Sequence, residues 1–258
     1  MMLKFSTNLS MMFQEYAFLD RFAAAAKVGF TAVEYVGPYA FPAQEISKRL
    51  KDHGLQQVLF NLPAGNWEKG ERGIACLPGR TQEFRESVKT AIDYAQVLNC
   101  PRINCLAGIA PAGHSSSELW TTLIENLAFA AEVLAAANIE LLVEPINYFD
   151  MPGYLLNTSA DGVKAIAACG HPNIKLQYDI YHMQRMEGEL AATLTKLMPI
   201  IGHIQIADNP GRHEPGSGEI NYNFIFEHLR KLEYENWIGC EYRPSGKTED
   251  GLGWMKLL

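Results

Sequence analysis

The chain alternates between apolar segments that favour β-strands and segments that favour helices, and it completes this alternation eight times. The predicted strands are residues 4–10, 31–36, 57–62, 102–108, 139–147, 174–180, 203–208 and 237–243. The predicted helices are residues 15–29, 42–53, 81–98, 118–137, 159–169, 189–201 and 222–232, with a short final helix after Thr248. Strands this apolar are typically buried on both faces of a parallel sheet. The pattern predicts an α/β fold, a closed (β/α)₈ barrel.

Length and composition fit a single domain over residues 1–258. A (β/α)₈ barrel takes about 250 residues, and this chain contains no linker-like or low-complexity stretch. With 48% hydrophobic and 20% charged residues, it can bury a large core. A doubly wound open sheet is the alternative fold, but no GxGxxG motif follows an early strand.

The net charge and the cysteine content indicate which binding partners and which cellular compartment to expect. The formal net charge of −7 argues against nucleic-acid binding, which normally requires a basic surface. The five cysteines are an odd number without a CxxC pair, which suits reduced thiols in the cytoplasm better than a disulfide framework. No run approaches 18 apolar residues, so no membrane-spanning segment is expected. The sequence leaves the oligomeric state open, and a homo-oligomer is compatible with it.

A carboxylate interrupts the end of the fifth predicted strand, which reads IELLVEPIN. This residue, Glu144, is followed by Pro145, which a strand tolerates only where its ladder ends. An ionised carboxylate at the end of a buried strand is costly without a cationic partner, and a metal ion or an arginine is the obvious candidate. Glu144 is therefore a candidate functional residue.

Three further strands carry a polar residue in a corresponding place. Asp179 ends strand six, Gln205 lies in strand seven and Glu241 ends strand eight, with successive spacings of 35, 26 and 36 residues counted from Glu144. About one βα repeat separates each pair, so a barrel would bring the four residues together at its carboxyl-terminal face, where such enzymes do their chemistry. Carboxylates packed this closely repel one another unless a cation lies among them. All-oxygen ligation predicts Mg²⁺ or Mn²⁺ rather than zinc.

The motifs around these residues read VEPIN, QYDIYHMQRMEGEL, HIQIADNPGRHEPGSGEINY and GCEYRP, and a loop earlier in the chain reads NLPAGNWEKGERGIACLPGR. These motifs resemble the hydroxypyruvate isomerase family, within the wider group of xylose isomerase-like TIM barrels. It implies a metal site of four residues, of which the first and last also carry the proton: Glu144, Asp179, Gln205 and Glu241. The implied reaction is an aldose–ketose-type isomerisation of hydroxypyruvate to tartronate semialdehyde through an ene-diolate. Related epimerases usually have histidine where this chain has Gln205, which argues against an epimerase.

Three polar residues near these motifs are candidates for substrate contacts. His182, in YDIYH, could hydrogen-bond a substrate oxygen. His203 shares a strand face with Gln205 and is either a core histidine or a substrate contact. Arg212, in the glycine-rich loop after strand seven, either binds a carboxylate with its planar guanidinium or lies exposed.

The loop of residues 63–79 is long and rich in glycine, as is typical of a lid over a site. It carries Arg72, a further candidate for binding a substrate carboxylate. Asn147 and Asp208 are interpreted instead as loop-capping residues, because Asn and Asp commonly bond to nearby backbone in turns.

Three alternative functions stay open beside hydroxypyruvate isomerisation. A 2-oxo-tetronate isomerase or ketose 3-epimerase would use the same ligands on a longer substrate. A metal-dependent nuclease would need more His and Asp ligands and a basic groove, neither of which is evident. A non-catalytic metal- or sugar-acid-binding protein would not need both glutamates as proton carriers. The leading hypothesis is an isomerase of a small 2-oxo or hydroxy acid that needs no redox cofactor.

Overall fold

All eight predicted strands are present, and they close into a parallel barrel. The computed structural model describes residues 2–257. The strands pair in sequence order and the last pairs with the first, which confirms the predicted barrel and excludes the open sheet. They are β1 (Lys4–Asn8), β2 (Ala32–Tyr35), β3 (Gln56–Asn61), β4 (Arg102–Cys105), β5 (Glu140–Val143), β6 (Ile174–Asp179), β7 (Ile201–Ile206) and β8 (Trp237–Cys240).

Helices connect the strands and give the βα alternation that the sequence predicts. The α-helices are α1 (Arg21–Lys27), α2 (Ala43–Asp52), α3 (Thr81–Leu98), α4 (Ser116–Ala136), α5 (Ser159–Cys169), α6 (Ile180–Met186), α7 (Leu190–Leu197) and α8 (Tyr222–Lys231). Short 3₁₀ helices occupy Phe18–Asp20, Trp67–Lys69, Pro78–Arg80 and Met198–Ile200, and a longer one forms at Thr248–Leu257.

Two predicted helices differ from the structure by more than two residues at one end. The helix predicted at residues 15–29 begins only with the 3₁₀ turn Phe18–Asp20, and α1 ends at Lys27. The helix predicted at residues 189–201 ends earlier, because Ile201 already belongs to β7. Its last turn is the 3₁₀ segment Met198–Ile200, which contains a proline that cannot continue an α-helix.

A helix that the sequence analysis did not predict follows β6 directly. The N-cap residue of α6 is Asp179, which is also the last residue of β6. One of its carboxylate oxygens accepts hydrogen bonds from the backbone N–H groups of Tyr181 (2.8 Å) and His182 (3.4 Å). No glycine or proline marks this junction, so the only sequence signal for the change of element is Asp179 itself, a residue type that is preferred at helix N-caps.

An apolar layer lies inside the barrel. A small cluster separate from the main core is formed by four residues from three strands: Ala32, Val58, Leu59 and Leu142. Ala32 lies two residues before Glu34 and therefore points to the same side of β2. Leu142 stands in the same relation to Glu144 at the end of β5. Polar side chains thus occupy the interior above this cluster, while the main apolar core packs the strands against the helices.

Helix α4 is long and apolar enough, by length and composition alone, to cross a membrane. Glu118, Glu125 and Glu132 interrupt it. Its buried face includes Leu123 and Leu127, and the helix packs against β5, α3 and α5. These contacts are those of an outer-layer helix of the barrel.

Candidate active site and metal centre

Three carboxylates converge at the carboxyl-terminal end of the barrel, as the strand spacing predicts. Glu144 follows the end of β5, Asp179 ends β6 and Glu241 follows the end of β8. One potential ligand atom from each of these residues and from His182 lies within 4.8 Å of the others. All four residues are buried. We call Glu144, Asp179 and Glu241 the carboxylate cluster.

The three carboxylates of the cluster repel one another in a buried position. Burial raises the pKa of Glu144 well above its usual value, and the negative charges of Glu241 and Asp179 raise it further. Burial likewise raises the pKa of Glu241 to about 8, and it raises the pKa of Asp179. Buried carboxylates with such shifts ionise together only when positive charge lies among them. The donor chemistry therefore fits a divalent cation with a preference for oxygen ligands.

Arg212 supplies part of that positive charge. Its Nη2 atom donates to Glu241 Oε2 at 2.6 Å and lies 3.4 Å from Asp179 Oδ2. Only 12% of its side chain is exposed. The arginine thus reaches inward from the loop after β7, and the alternative of an exposed loop arginine does not hold.

Gln205 lies beside the carboxylate cluster, and its amide contacts two polar residues beneath the cluster, Glu34 and Gln177. It is the register partner of Asp179 on the neighbouring strand. Its Nε2 atom donates to Glu34 Oε1 at 2.7 Å, and its Oε1 atom accepts from Gln177 Nε2 at 2.7 Å. A carbonyl oxygen has two lone pairs, so the contact with Gln177 leaves one acceptor site free for a cation.

Two asparagines that the sequence analysis overlooked support the glutamates. Asn8, at the end of β1, donates to Glu241 Oε1 at 2.9 Å. Asn104, in β4, donates to Glu144 Oε2 at 3.0 Å. Each asparagine occupies one oxygen of its glutamate and so fixes the orientation of the carboxylate. Their only sequence signal is a polar residue near the end of an apolar strand.

His203 and Glu34 form a fully buried pair below the carboxylate cluster. His203 Nε2 lies 2.9 Å from Glu34 Oε2. Burial alone would raise the pKa of Glu34, but the electrostatic interaction with His203 and hydrogen bonds from His203, Gln205 and Ser6 lower it below its usual value. Of the two interpretations of His203, this position matches the core histidine. Glu34 was overlooked in the sequence, although a charged residue inside the apolar segment TAVEYV was a usable signal.

His182 is held as a neutral imidazole that points one N–H into the site. Its Nδ1 atom lies 2.6 Å from Asn147 Nδ2, which can only donate. Nδ1 is therefore an acceptor, and the ring proton resides on Nε2, 3.5 Å from Asp179 Oδ2. Burial and the charges of Arg212 and Arg185 lower the pKa of His182 well below its usual value. In this tautomer His182 is a hydrogen-bond donor rather than a metal ligand.

Asn147 and Asp208 both cap loops, as predicted, but Asn147 does more. Its Oδ1 atom accepts from the backbone N–H of Asp150, and its amide group donates to His182. Asp208 accepts from the backbone N–H groups of three loop residues, Asn209, Gly216 and Ile220.

A cavity of about 500 Å³ opens above the carboxylate cluster. Four of the residues that line it are arginines: Arg72, Arg185, Arg212 and Arg243. Arg185 is paired with Asp150, and Arg212 is paired with the carboxylate cluster. The Arg72 guanidinium instead stacks on the Trp67 ring at 3.9 Å and donates only to backbone carbonyls. This cavity is suited to a small anion.

The loop of residues 63–79 brings Trp67 and Arg72 to this cavity and is fixed at its base. Gly73 has a φ of +106°, and a Cβ atom there would lie 2.3 Å from the carbonyl oxygen of Leu106. A Cβ atom on Gly108 would lie 2.8 Å from the carbonyl oxygen of Gly73. Backbone therefore packs directly on backbone at this point.

Comparison with known proteins agrees with this geometry. Residues 22–258 match the family model described as xylose isomerase-like TIM barrel. Hydroxypyruvate isomerase of Escherichia coli is 53% identical over 254 residues, covering 98% of both chains. The 2-oxo-tetronate isomerase of Cupriavidus necator is 50% identical over 253 residues, covering 98% of this chain and 97% of its own.

A solved structure described as AP endonuclease, family 2, from Brucella melitensis has a TM-score of 0.97 and 45% sequence identity. The match covers 99% of this chain and 98% of that chain. Together these similarities confirm the expected family and the expected enzyme class, an isomerase. The chain belongs to the hydroxypyruvate isomerase family within the xylose isomerase-like TIM barrels.

Proposed function

We propose that this protein is a metal-dependent isomerase that interconverts hydroxypyruvate and tartronate semialdehyde (2-hydroxy-3-oxopropanoate). The observation that carries the proposal is the buried carboxylate cluster under a small cavity lined by arginines. The name of the E. coli relative, at 53% identity, supports the three-carbon substrate. The carboxylates provide proton carriers and metal ligands, and the arginines suit the substrate's own carboxylate.

The proposed metal ligands are Glu144, Asp179, Gln205 and Glu241, and the proposed ion is Mg²⁺ or Mn²⁺. A divalent ion there would polarise the substrate carbonyl and stabilise the negative charge of an ene-diolate. His182 is left as a hydrogen-bond donor by its contact with Asn147.

Glu144 and Glu241 are the proposed proton carriers. In the forward direction one proton leaves C3 of hydroxypyruvate and one proton is added at C2, while the hydroxyl proton passes from O3 to O2. The two glutamates follow strands β5 and β8, so they can approach the planar intermediate from different sides. Asn104 and Asn8 hold one oxygen of each glutamate in place, which fixes the geometry of proton transfer.

Substrate orientation is assigned to three residues: His182, Arg212 and Arg72. His182 donates from Nε2 to a substrate oxygen, and Arg212 and Arg72 contact the carboxylate. His203, the fourth candidate, is fully buried against Glu34 and is not among the residues that line the cavity, so it is assigned no substrate contact.

A four-carbon substrate is the second candidate. The C. necator relative is named 2-oxo-tetronate isomerase. A further cavity of about 960 Å³ adjoins the first and shares Met11, Val36, Trp67 and Arg243 with it. That space would accommodate a longer acid or a ketose.

A substrate panel in D₂O tests both candidates. Purified protein with Mn²⁺ is offered hydroxypyruvate, a four-carbon 2-oxo acid, a ketose and an abasic DNA duplex. We expect the highest kcat/KM with hydroxypyruvate, solvent deuterium at carbon in the product and no cleavage of DNA. Preferred turnover of the four-carbon acid would transfer the assignment to the second candidate. Isomerisation of neither acid would refute the proposal.

We further propose one domain spanning residues 1–258 and a cytoplasmic location. All five cysteines are free, and four of them are buried, which suits a reducing compartment.

A further inference from the structure

Glu34 is a fully buried carboxylate that no part of the proposed chemistry uses. It lies in the middle of β2, inside the barrel and below the carboxylate cluster. Its Oε2 atom accepts from Ser6 Oγ at 2.7 Å and lies 2.9 Å from His203 Nε2. Its Oε1 atom accepts from Gln205 Nε2 at 2.7 Å. The two oxygens therefore have separate partners.

The barrel leaves a space for this carboxylate. Gly239 on β8 faces it, and a Cβ atom at that position would lie 2.3 Å from Glu34 Oε1 and 2.5 Å from its carboxyl carbon. Any other residue at position 239 would displace Glu34. The position of the carboxylate thus depends on two strands: β2 carries Glu34, and β8 leaves room for it at Gly239.

The contact between Glu34 and Gln205 decides which way the amide of Gln205 faces. An ionised carboxylate only accepts hydrogen bonds, so the amide nitrogen must face Glu34 and the amide oxygen must face away. Gln177 donates to that oxygen from the other side. The nitrogen and oxygen of the Gln205 amide have nearly the same size, so packing alone would not distinguish them. The hydrogen bonds with Glu34 and Gln177 determine which atom faces which way.

Glu34 also reaches the carboxylate cluster by a second route. Asn8 Nδ2 lies 3.5 Å from Glu34 Oε1 and donates to Glu241 Oε1 at 2.9 Å. Gln205 itself is the register partner of Asp179. One buried carboxylate is thus connected to two of the four proposed ligands.

We propose that Glu34 is a positioning residue that holds the amide oxygen of Gln205 toward the cation site and thereby sets the affinity for the metal. The inference rests on the proposed metal ligation. When the group of residue 34 that faces Gln205 donates instead of accepting, the amide of Gln205 rotates and presents its N–H₂ group, which cannot ligate a cation. Residues that orient metal ligands typically change metal affinity by about 10–100-fold when replaced.

The test measures Mn²⁺ affinity by electron paramagnetic resonance, without any turnover. Four proteins are compared: the parent, E34Q, Q205E and the double variant E34Q/Q205E. In E34Q the new amide oxygen stays with its two partners Ser6 and His203, and the N–H₂ group faces Gln205. We therefore expect E34Q to bind Mn²⁺ about 10–100-fold more weakly. Q205E should weaken binding in the parent, because two carboxylates then face each other. In the E34Q background the same change should strengthen binding. The amide introduced at position 34 can donate to one oxygen of the carboxylate introduced at position 205, and the other oxygen stays free for the ion.

This reversal of sign separates positioning from a general effect of charge or stability. If Glu34 acted only through its charge, Q205E would add a negative charge and strengthen Mn²⁺ binding in both backgrounds. S6A is the matched control, because Ser6 contacts Oε2 of Glu34 and not Oε1, the oxygen that accepts from Gln205. It should lower the melting temperature and keep the parental Mn²⁺ affinity.

A second variant covers the case in which E34Q does not fold. G239A keeps every ligand and the charge of Glu34 but places a methyl group against the carboxylate, and it should also weaken Mn²⁺ binding. G79A, at a position where a Cβ atom meets nothing within 4 Å, is its control. Parental Mn²⁺ affinity in folded E34Q, or in G239A, would overturn the inference while leaving the metal site intact. Failure of the parent to bind Mn²⁺ would refute the metal proposal and this inference together.

Discussion

Asn147 donates a hydrogen bond of 2.6 Å to Nδ1 of His182, and both side chains are buried. The amide cannot rotate to reverse this contact, because its oxygen accepts from the backbone N–H of Asp150 at 2.9 Å. The proton of the neutral imidazole is therefore confined to Nε2, which faces Asp179 and the cavity. Asn147, a loop residue, thus determines that Nε2 of His182 is the hydrogen-bond donor in the site.

Asn147→Asp should reverse the tautomer of His182. Aspartate only accepts hydrogen bonds, so Nδ1 must then carry a proton. We expect kcat/KM to fall about tenfold or more, which corresponds to one lost hydrogen bond of ~1.4 kcal/mol. The ¹⁵N shifts of His182 measure the tautomer directly. Asn221→Asp is the control, because Asn221 caps α8 far from the site and Asp caps equally well. Unchanged ¹⁵N shifts in Asn147→Asp would contradict the assignment.

Glu144→Gln and Glu241→Gln should each retain metal and lose turnover. The amide keeps an oxygen donor but cannot accept and return a proton, and general base catalysis typically contributes about 10²–10⁴-fold. Rates and metal content are measured on the same samples. Near-parental turnover in both variants, without solvent deuterium in the product, would indicate a direct hydride shift instead.

Removal of the metal should abolish activity and lower stability together. A ligand that binds only the folded state at 100 times its Kd adds about 2.7 kcal/mol to the free energy of unfolding. We expect EDTA-treated protein to melt at a lower temperature and to regain both melting temperature and activity with Mg²⁺ or Mn²⁺. Elemental analysis confirms that the treated protein is metal-free. Full activity in such a sample would exclude a role for the ion.

The metal-free protein should become less stable as the pH rises from about 4.5 to about 8. The pKa of Glu241 is raised from 4.5 to about 8 by burial, and the pKa of Glu144 is raised as well. Between these limits the folded state binds more protons than the unfolded state, so the free energy of unfolding falls with increasing pH, by a few kcal/mol at most. Denaturant titrations across this range measure the slope. Saturating Mn²⁺ should remove this pH dependence. A free energy of unfolding that increases with pH in the metal-free protein would contradict the pKa shifts.

Arg72→Ala should raise KM for a carboxylate substrate more than it lowers kcat. Among the residues that the structure describes, the guanidinium contacts only backbone carbonyls and the Trp67 ring, so it can bind an anion without breaking an ion pair with any of them. One charge-assisted hydrogen bond is worth about 1.5–3 kcal/mol, which predicts a KM increase of tenfold or more. Arg230→Ala, which removes an arginine paired with Glu227 on the surface, is the control. Equal KM values in the two variants would argue against a substrate contact.

The barrel and the carboxylate cluster were predictable from sequence because both follow from periodicity. Apolar strands recur with helices between them, and polar residues recur near the strand ends at about one repeat. Glu144, Asp179 and Glu241 could therefore be placed at one end of the barrel. Helix α6 was missed because its cap is the last residue of β6 itself, where no turn residue separates the elements.

The layer beneath the carboxylate cluster was not predictable from the same pattern. Glu34 and His203 are 169 residues apart, and only closure of the barrel brings them together. The alternation of side chains along β7 placed His203 and Gln205 on one face but did not give the depth of each within the barrel. Depth depends on the stagger between strands, which a single sequence does not reveal.

The contact between Gly73 and the segment around Leu106 and Gly108 limits how the loop over the cavity can move. Because the two backbones touch with no side chain between them, the base of the loop cannot move toward the segment of Leu106 and Gly108. The base is therefore the fixed end of the loop. We therefore expect movement of the loop at its tip, where Gly65 and Gly70 have positive φ angles and flank Trp67. Substrate would then enter past the Trp67 indole, through a gate of a few residues rather than under a hinged flap.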